Sequence, residues 1–271
     1  MFDMRLISIL GLLTVVVLLG LVLDYMRLLR RPARLGLYLA VLGILAGFVF
    51  TLKAVLPGGT FYGPVYSEIK TSQKVVALTF DDGPYPPYTG QILDILKEYR
   101  VPATFFVLGQ NAEKYPDLVR RVVAEGHQIG NHTYTHLDLL KADRPTIADQ
   151  VDRTSKIIAG ITGQTPRVVR PPHGFRDAVV IDIMAERGLK VVEWSVSSRD
   201  WTNPGVDEIV SRTLGKVQNG SVILLHDGDG IAQSASRQQT VDATRSIIRQ
   251  LLAQGYKLVT VDEILATKTE D

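Results

Sequence analysis

With 30 Lys/Arg against 28 Asp/Glu in 271 residues, the chain has a net charge of only +2, which gives no footprint for nucleic acid. It has no cysteine, which excludes disulfides and thiolate metal sites. The small cationic excess sits at the start: residues 1–60 hold six Lys/Arg against two Asp/Glu, leaving 24 against 26 for the rest.

The chain opens on two uncharged runs of eighteen residues, Leu6–Leu23 and Leu35–Leu52. Each has about the 18–20 apolar residues that a helix needs to cross a bilayer core. Between them, "DYMRLLRRPAR" carries Arg27, Arg30, Arg31 and Arg34, and loops rich in Arg stay cytoplasmic. Residues 1–56 are therefore expected to form a transmembrane helical hairpin, with spans near 6–23 and 35–52. The expected protein is a two-pass protein of the cell membrane, with everything after Pro57 on the extracellular side. A cleaved signal peptide is the alternative for the first run. That run exceeds the usual apolar length, and no small-x-small cleavage site follows it.

The Gly/Pro-rich stretch "PGGTFYGP" begins a linker over 57–69. Beyond it, short apolar runs suited to buried strands recur near 74–80, 103–107, 127–130, 167–170, 190–194, 221–225 and 256–260. Segments of helical period separate most of them. "GQILDILKEYR" aligns Ile92, Leu93, Ile95, Leu96 and Tyr99, and "PDLVRRVVAEG" starts on Pro and ends on Gly. "IADQVDRTSKIIAGITG" and "TRSIIRQLLAQG" behave alike. Alternating strands and helices predict an α/β domain with a parallel sheet, either a closed barrel or an open doubly wound sheet.

Both architectures put function at the carboxyl ends of strands. There the sequence places Asp81 and Asp82, then Asn131 and His132, then Arg170, Pro171, Pro172 and His173, then Asp200 and Trp201, and finally His226. "HTYTH" spaces His132 and His136 four apart, so a helical turn would put both imidazoles on one face. Two His and a carboxylate with open positions suit zinc or a similar divalent ion. One of the paired aspartates would complete the ligand set, and the other would take a proton from a bound water. His226 is the candidate acid, Asp200 its partner, and Arg170 a partner for the base.

"TFDDGP", "HTYTH", "RPPHG", "SSRDW" and "ILLHD", in this order and spacing, resemble the five motifs of polysaccharide deacetylases. These are carbohydrate esterase family four, which shares a domain with chitooligosaccharide deacetylases. The resemblance covers roughly residues 70–265. It implies a distorted (β/α)7 barrel, so that 70–267 is the catalytic domain, and metal-dependent removal of N-acetyl groups from sugars. By carry-over Asp81 is the general base, Asp82, His132 and His136 hold the metal, Arg170 orients Asp81, and Asp200 tunes the acid His226. Pro171, His173, Trp201 and Leu224 are the implied substrate contacts, with the backbone N–H of residue 173 helping to stabilise the oxyanion. The implied cofactor is zinc, with cobalt, nickel or manganese as alternatives. The chain departs from the family where His173 replaces the usual Tyr and Ser197 a frequent Asp. His127 precedes its motif and is read as structural.

The expected substrate is a cell-wall or surface polysaccharide, foremost the N-acetylglucosamine or N-acetylmuramic acid of peptidoglycan. The alternatives are a non-catalytic, membrane-anchored glycan-binding protein and a deacetylase of another amide or ester.

Overall fold

The computed structural model describes residues 6–26 and 30–267. Two helices, α1 (Leu6–Tyr25) and α2 (Arg31–Val55), come first. Among the described residues, α2 is the one helix long and apolar enough to cross a membrane. The side chains of residues 6–10, 12 and 13 lie outside the described residues, so the expected first span is represented by the shorter apolar stretch Thr14–Tyr25. Arg27 of the basic loop is outside them too. The two helices pack: a Cβ on Gly20 would lie 2.5 Å from Leu37 Cδ1, and Arg34 Nε pairs with Asp24 at 2.5 Å.

The rest is built around one strand. β1 (Val75–Asp81) is buried at all seven positions, as a central strand covered on both faces must be. It pairs in parallel with β2 (Thr104–Val107) on one edge and with β7 (Val222–His226) on the other. The sheet continues from β2 through β3 (Gln128–Asn131) and β4 (Val168–Val169) to β5 (Lys190–Val191), and from β7 to β6 (Val196–Ser197). β8 (Lys257–Val259) shares the β2 edge of β1, pairing with its first residues.

In place of the expected distorted (β/α)7 barrel stands a half-barrel of parallel strands. Of the fifth predicted strand, 190–194, only Lys190–Val191 is strand, as β5, and β6 at Val196–Ser197 lies outside every predicted run; the two are the ends of the hydrogen-bonded path. The chain turns at Glu193–Ser195, where Tyr66 and Val222 take the backbone bonds instead.

Helices cover the sheet where the 3.6-residue pattern places them. α3 (Tyr88–Tyr99) buries Ile92, Leu93, Ile95 and Leu96 and stops at Arg100 in a left-handed conformation. α4 (Gly109–Lys114) and α5 (Pro116–Ala124) follow β2. α6 (Arg144–Thr162) starts on Asp143, whose carboxylate accepts from Thr146 N, and ends on left-handed Gly163. α7 (Ala178–Glu186), α8 (Val206–Leu214), α9 (Gln238–Ala253) and α10 (Val261–Ala266) complete the set. The largest apolar cluster joins β1, β2 and β7 to α3 and α9, with Phe80 stacked on Phe105 at 5.1 Å between ring centres. This core fixes the strand ends that carry the polar groups.

Candidate active site

The parallel register sets Asp81 level with Phe106 and His226, so the acid and base candidates emerge side by side from the sheet. The next residue, Asp82, has φ +76°. That left-handed step ends the strand, and both carboxylates face His132, Asp81 Oδ2 at 3.8 Å and Asp82 Oδ1 at 3.5 Å from Nε2.

Asp82, His132 and His136 present ligand atoms within 4.8 Å of one another. Asp82 Oδ1 lies 3.5 Å from His132 Nε2 and 3.3 Å from His136 Nε2. It is buried and has no hydrogen-bond partner, an expensive state for an anion unless a cation sits against it. His132 Nδ1 is 2.7 Å from the Arg170 carbonyl, which fixes the Nδ1–H tautomer and leaves Nε2 with its lone pair. Burial pushes His136 down to about 4 despite Asp82, keeping that imidazole neutral. The donor set therefore fits a divalent ion of the zinc type.

The His pair does not converge on a helical turn as its spacing suggested. The segment is a loop in which Thr133 and His136 have φ of +69° and +58°. Asn131 Oδ1 accepts from Thr133 N, and Gln150 Oε1 accepts from Tyr134 N, Thr135 N and Thr135 Oγ1. Asn131 and Gln150 are thus the organisers of the ligand loop. Gln150 comes from α6, with nothing in its local sequence to mark it.

Asp81 is 3 % exposed, and its Oδ1 accepts from Arg170 Nη1 at 2.6 Å. Arg170 is fully buried and also donates to Thr79 Oγ1, Val192 O and Glu193 O, with its guanidinium 4.2 Å from the Phe106 ring centre. This network is complete without an acid at position 197, where the Ser197 hydroxyl is buried and unpartnered. Asp81 Oδ2 is left facing His132 Nε2 at 3.8 Å.

On the other side His226 Nδ1 meets Asp200 Oδ1 at 2.9 Å, and His226 N donates to Asp200 Oδ2 at 2.7 Å. Ser198 and Thr240 hydroxyls also donate to Asp200. Burial opposes a charged His226. The Asp200 carboxylate outweighs it by charge and hydrogen bond, with help from Asp82 and Asp81, and the imidazole is pushed up to about 9.

These groups open on a cleft of about 490 Å³. Leu224 and Trp201 line it, the indole 5.2 Å from the His226 ring, and so does His173, edge-on to His136 at 4.8 Å. Arg170, Pro171 and Asp200 are buried and not among its lining residues. Trp194, Asp229, Gly230 and Arg237 are lining residues that no motif had marked. His127 sits apart, buried with its Nδ1 accepting from Ala103 N, as a structural residue would.

Residues 68–192 match the polysaccharide deacetylase family. A chitooligosaccharide deacetylase of Rhizobium leguminosarum bv. trifolii is 43% identical over 199 residues, 71% of this chain and 93% of the relative. A peptidoglycan-N-acetylglucosamine deacetylase of Bacillus cereus is 39% identical over 208 residues, 76% and 95% of the two chains. Among solved structures, the Bc1960 peptidoglycan N-acetylglucosamine deacetylase superposes with a TM-score of 0.71 at 38% identity, over 76% of this chain and 95% of that one. A carbohydrate esterase family four pseudoenzyme from Bacillus anthracis superposes at 0.68 and 31%, over 76% and 70%. With relatives at this identity matched over nearly their whole length and the paired carboxylates, histidines and cleft in one place, the chain belongs to the polysaccharide deacetylase family and is a carbohydrate N-deacetylase.

Proposed function

We propose that the protein is a membrane-anchored, metal-dependent deacetylase of an extracellular N-acetylated polysaccharide, foremost the N-acetylglucosamine of peptidoglycan. The observation that carries this reading is the meeting of three groups of residues in one cleft: the Asp82–His132–His136 set, the Asp81–Arg170 pair and the His226–Asp200 pair. Asp82, His132 and His136 would hold the metal, which when bound supplies Lewis-acid polarisation of the acetyl carbonyl and acidifies the attacking water. Asp81 Oδ2, unused by Arg170, takes the proton from that water as oxygen adds to the carbonyl carbon. The backbone N–H of His173 is the protein's donor to the oxyanion, on a turn held by Gly174 N to Pro171 O and Phe175 N to Pro172 O. His226 protonates the sugar nitrogen as the C–N bond breaks, giving acetate and a free amine. Leu224 and Trp201 receive the acetyl methyl.

The topology belongs to the same proposal: α1 and α2 as a two-pass hairpin, with the basic loop inside and the catalytic domain outside. It rests on the two apolar runs and the Arg-rich loop between them. A pseudoenzyme on this fold is the rival reading. The complete set of base, ligand and acid residues favours catalysis.

The full chain in lipid vesicles is expected to release acetate from N-acetylated peptidoglycan or chitooligosaccharides, to stop on chelation and to recover with zinc. No release from either substrate with zinc bound overturns the substrate assignment.

The pH profile carries a second expectation. His226 is held above its ordinary value, so its imidazolium is present below pH 9 and lost as pH rises through it. The profile of kcat should have a basic limb near pH 9. Asp200→Asn removes the carboxylate and should move that limb to lower pH with a lower plateau. An unmoved limb would assign it to another group.

A further inference from the structure

The stretch from Ala54 to Ile69 is packed, not a loose tether. Ala54 is 3 % exposed and Ile69 2 %. Tyr62 Oη donates to Phe50 O, bending the chain back along α2. A Cβ on Gly63 would lie 2.5 Å from Ile181 Cγ2, so the segment rests directly on α7 there. Tyr66 N donates to Val191 O, Glu193 N to Tyr66 O, and Ile69 N to Gly220 O. A flexible linker would leave such groups to water.

At the centre of this contact lie two fully buried ionisable residues, Arg176 and Glu193. Neither faces the cleft. Arg176 Nη1 stands 2.6 Å from Glu193 Oε1 as an ion pair, while its hydrogen bond goes to Gly174 O. Nη2 donates to Leu56 O at 2.9 Å and Gly59 O at 2.8 Å, and Arg176 N donates to Ala54 O. Gly58 N donates to Glu193 Oε2. One carbonyl of the last turn of α2, that of Ala54, and two just beyond the helix, those of Leu56 and Gly59, thus go to an arginine of the catalytic domain. Burial pushes the Glu193 carboxyl up to about 7 against the charge of Arg176, so the contact rests on the hydrogen bonds that both groups make as well as on the pair.

The same two residues touch the reaction centre from behind. Arg170, which holds Asp81, donates to the carbonyls of Val192 and Glu193, and Trp194 of the cleft follows directly. Gly174, bonded to Arg176, adjoins His173. We propose that Arg176 and Glu193 clasp the C-terminal end of α2 to the back wall of the cleft. Anchor and active site then move as one body, and the pair acts as positioning residues for Arg170 and the 172–174 turn. On the reading of α2 as a membrane span, from which this follows, the cleft is held at a fixed orientation to the bilayer. Its substrate is then glycan lying against the membrane face, not polymer sampled at a distance.

The chain has no thiol, so two introduced cysteines are its only ones. Spin labels on Lys53→Cys at the end of α2 and Lys216→Cys on the domain surface, in the full chain in phosphatidylglycerol vesicles, should give one narrow distance distribution. Glu193→Gln and Arg176→Gln should broaden it and lower kcat about tenfold or more, with KM changed far less, as misplacement of a catalytic pair does. Arg176→Lys keeps the charge but not the fork and should recover only part of both. A broad distribution in the parent overturns the clasp. So does a narrow distribution with full kcat in both Gln variants. The distance is read without turnover, so a chain inactive on glycans bears on the proposed function and leaves this test intact. Failure of the vesicles to carry the chain on flotation counts against the membrane span alone.

Discussion

Asp81→Asn is expected to lower kcat by about 10²–10⁴-fold while metal stays bound, the range that a positioned general base contributes. In barrier height this is about 3–5 kcal/mol, at 1.36 kcal/mol per tenfold. Asn keeps the shape and leaves an oxygen for Arg170 Nη1, so the loss falls on proton transfer. It also leaves the fully buried Arg170 without its anion. Removing one partner of a buried pair costs about 3–5 kcal/mol of stability, less whatever Thr79, Val192 and Glu193 retain by hydrogen bonding. Kinetics, zinc content and thermal unfolding of the same preparation separate the two effects. A kcat within tenfold of the parent, in a folded and metal-loaded variant, would remove Asp81 from the role of base.

Asp82→Asn should act on binding. Its carboxylate is the one anion of the proposed ligand set, and its Oδ1 has no hydrogen-bond partner. Burial disfavours the charge. The imidazoles of His132, His136 and His226 beside it outweigh that and hold the carboxyl well below its usual range. Outer-shell substitutions at zinc sites cost about 10–100-fold in affinity, so loss of a direct ligand should cost about a hundredfold or more. The readout is stability. An ion at a thousand times its Kd stabilises the folded chain by about 4 kcal/mol. Zinc should therefore raise the unfolding temperature of the parent by several degrees and that of Asp82→Asn hardly at all. Equal shifts would place the ion elsewhere.

The sequence displays those features that repeat or abut. β1, β2, β7 and the faces of α3, α5, α6 and α9 follow from apolar period, because each buries one stripe or a whole strand. Asp81, Asp82, His132 and His226 are visible because strand ends are where such folds hold their chemistry. β6 is invisible, since two residues carry no period. The His132–His136 loop defeats the helical reading because spacing fixes separation along the chain, not backbone hand. Two left-handed residues do there what a helical turn would have done. Gln150, Trp194, Arg237 and the Arg176–Glu193 pair stand outside every motif, and no local period marks them. Their roles exist only once the sheet has closed around them.

The central strand has a consequence for how the chain is made. Among the described strands β1 is synthesised first, and β2, some thirty residues later, can pair with it early. Its other edge waits for β7, and Asp81 meets His226 only when the last quarter of the chain has arrived. Until then a largely apolar strand offers an unpaired edge, the usual nucleus of misassembly between neighbouring chains. Pairing at such sequence distance is also slow. Catalytic competence is therefore the last property this chain acquires. The interval before it is when crowding among nascent copies does most damage.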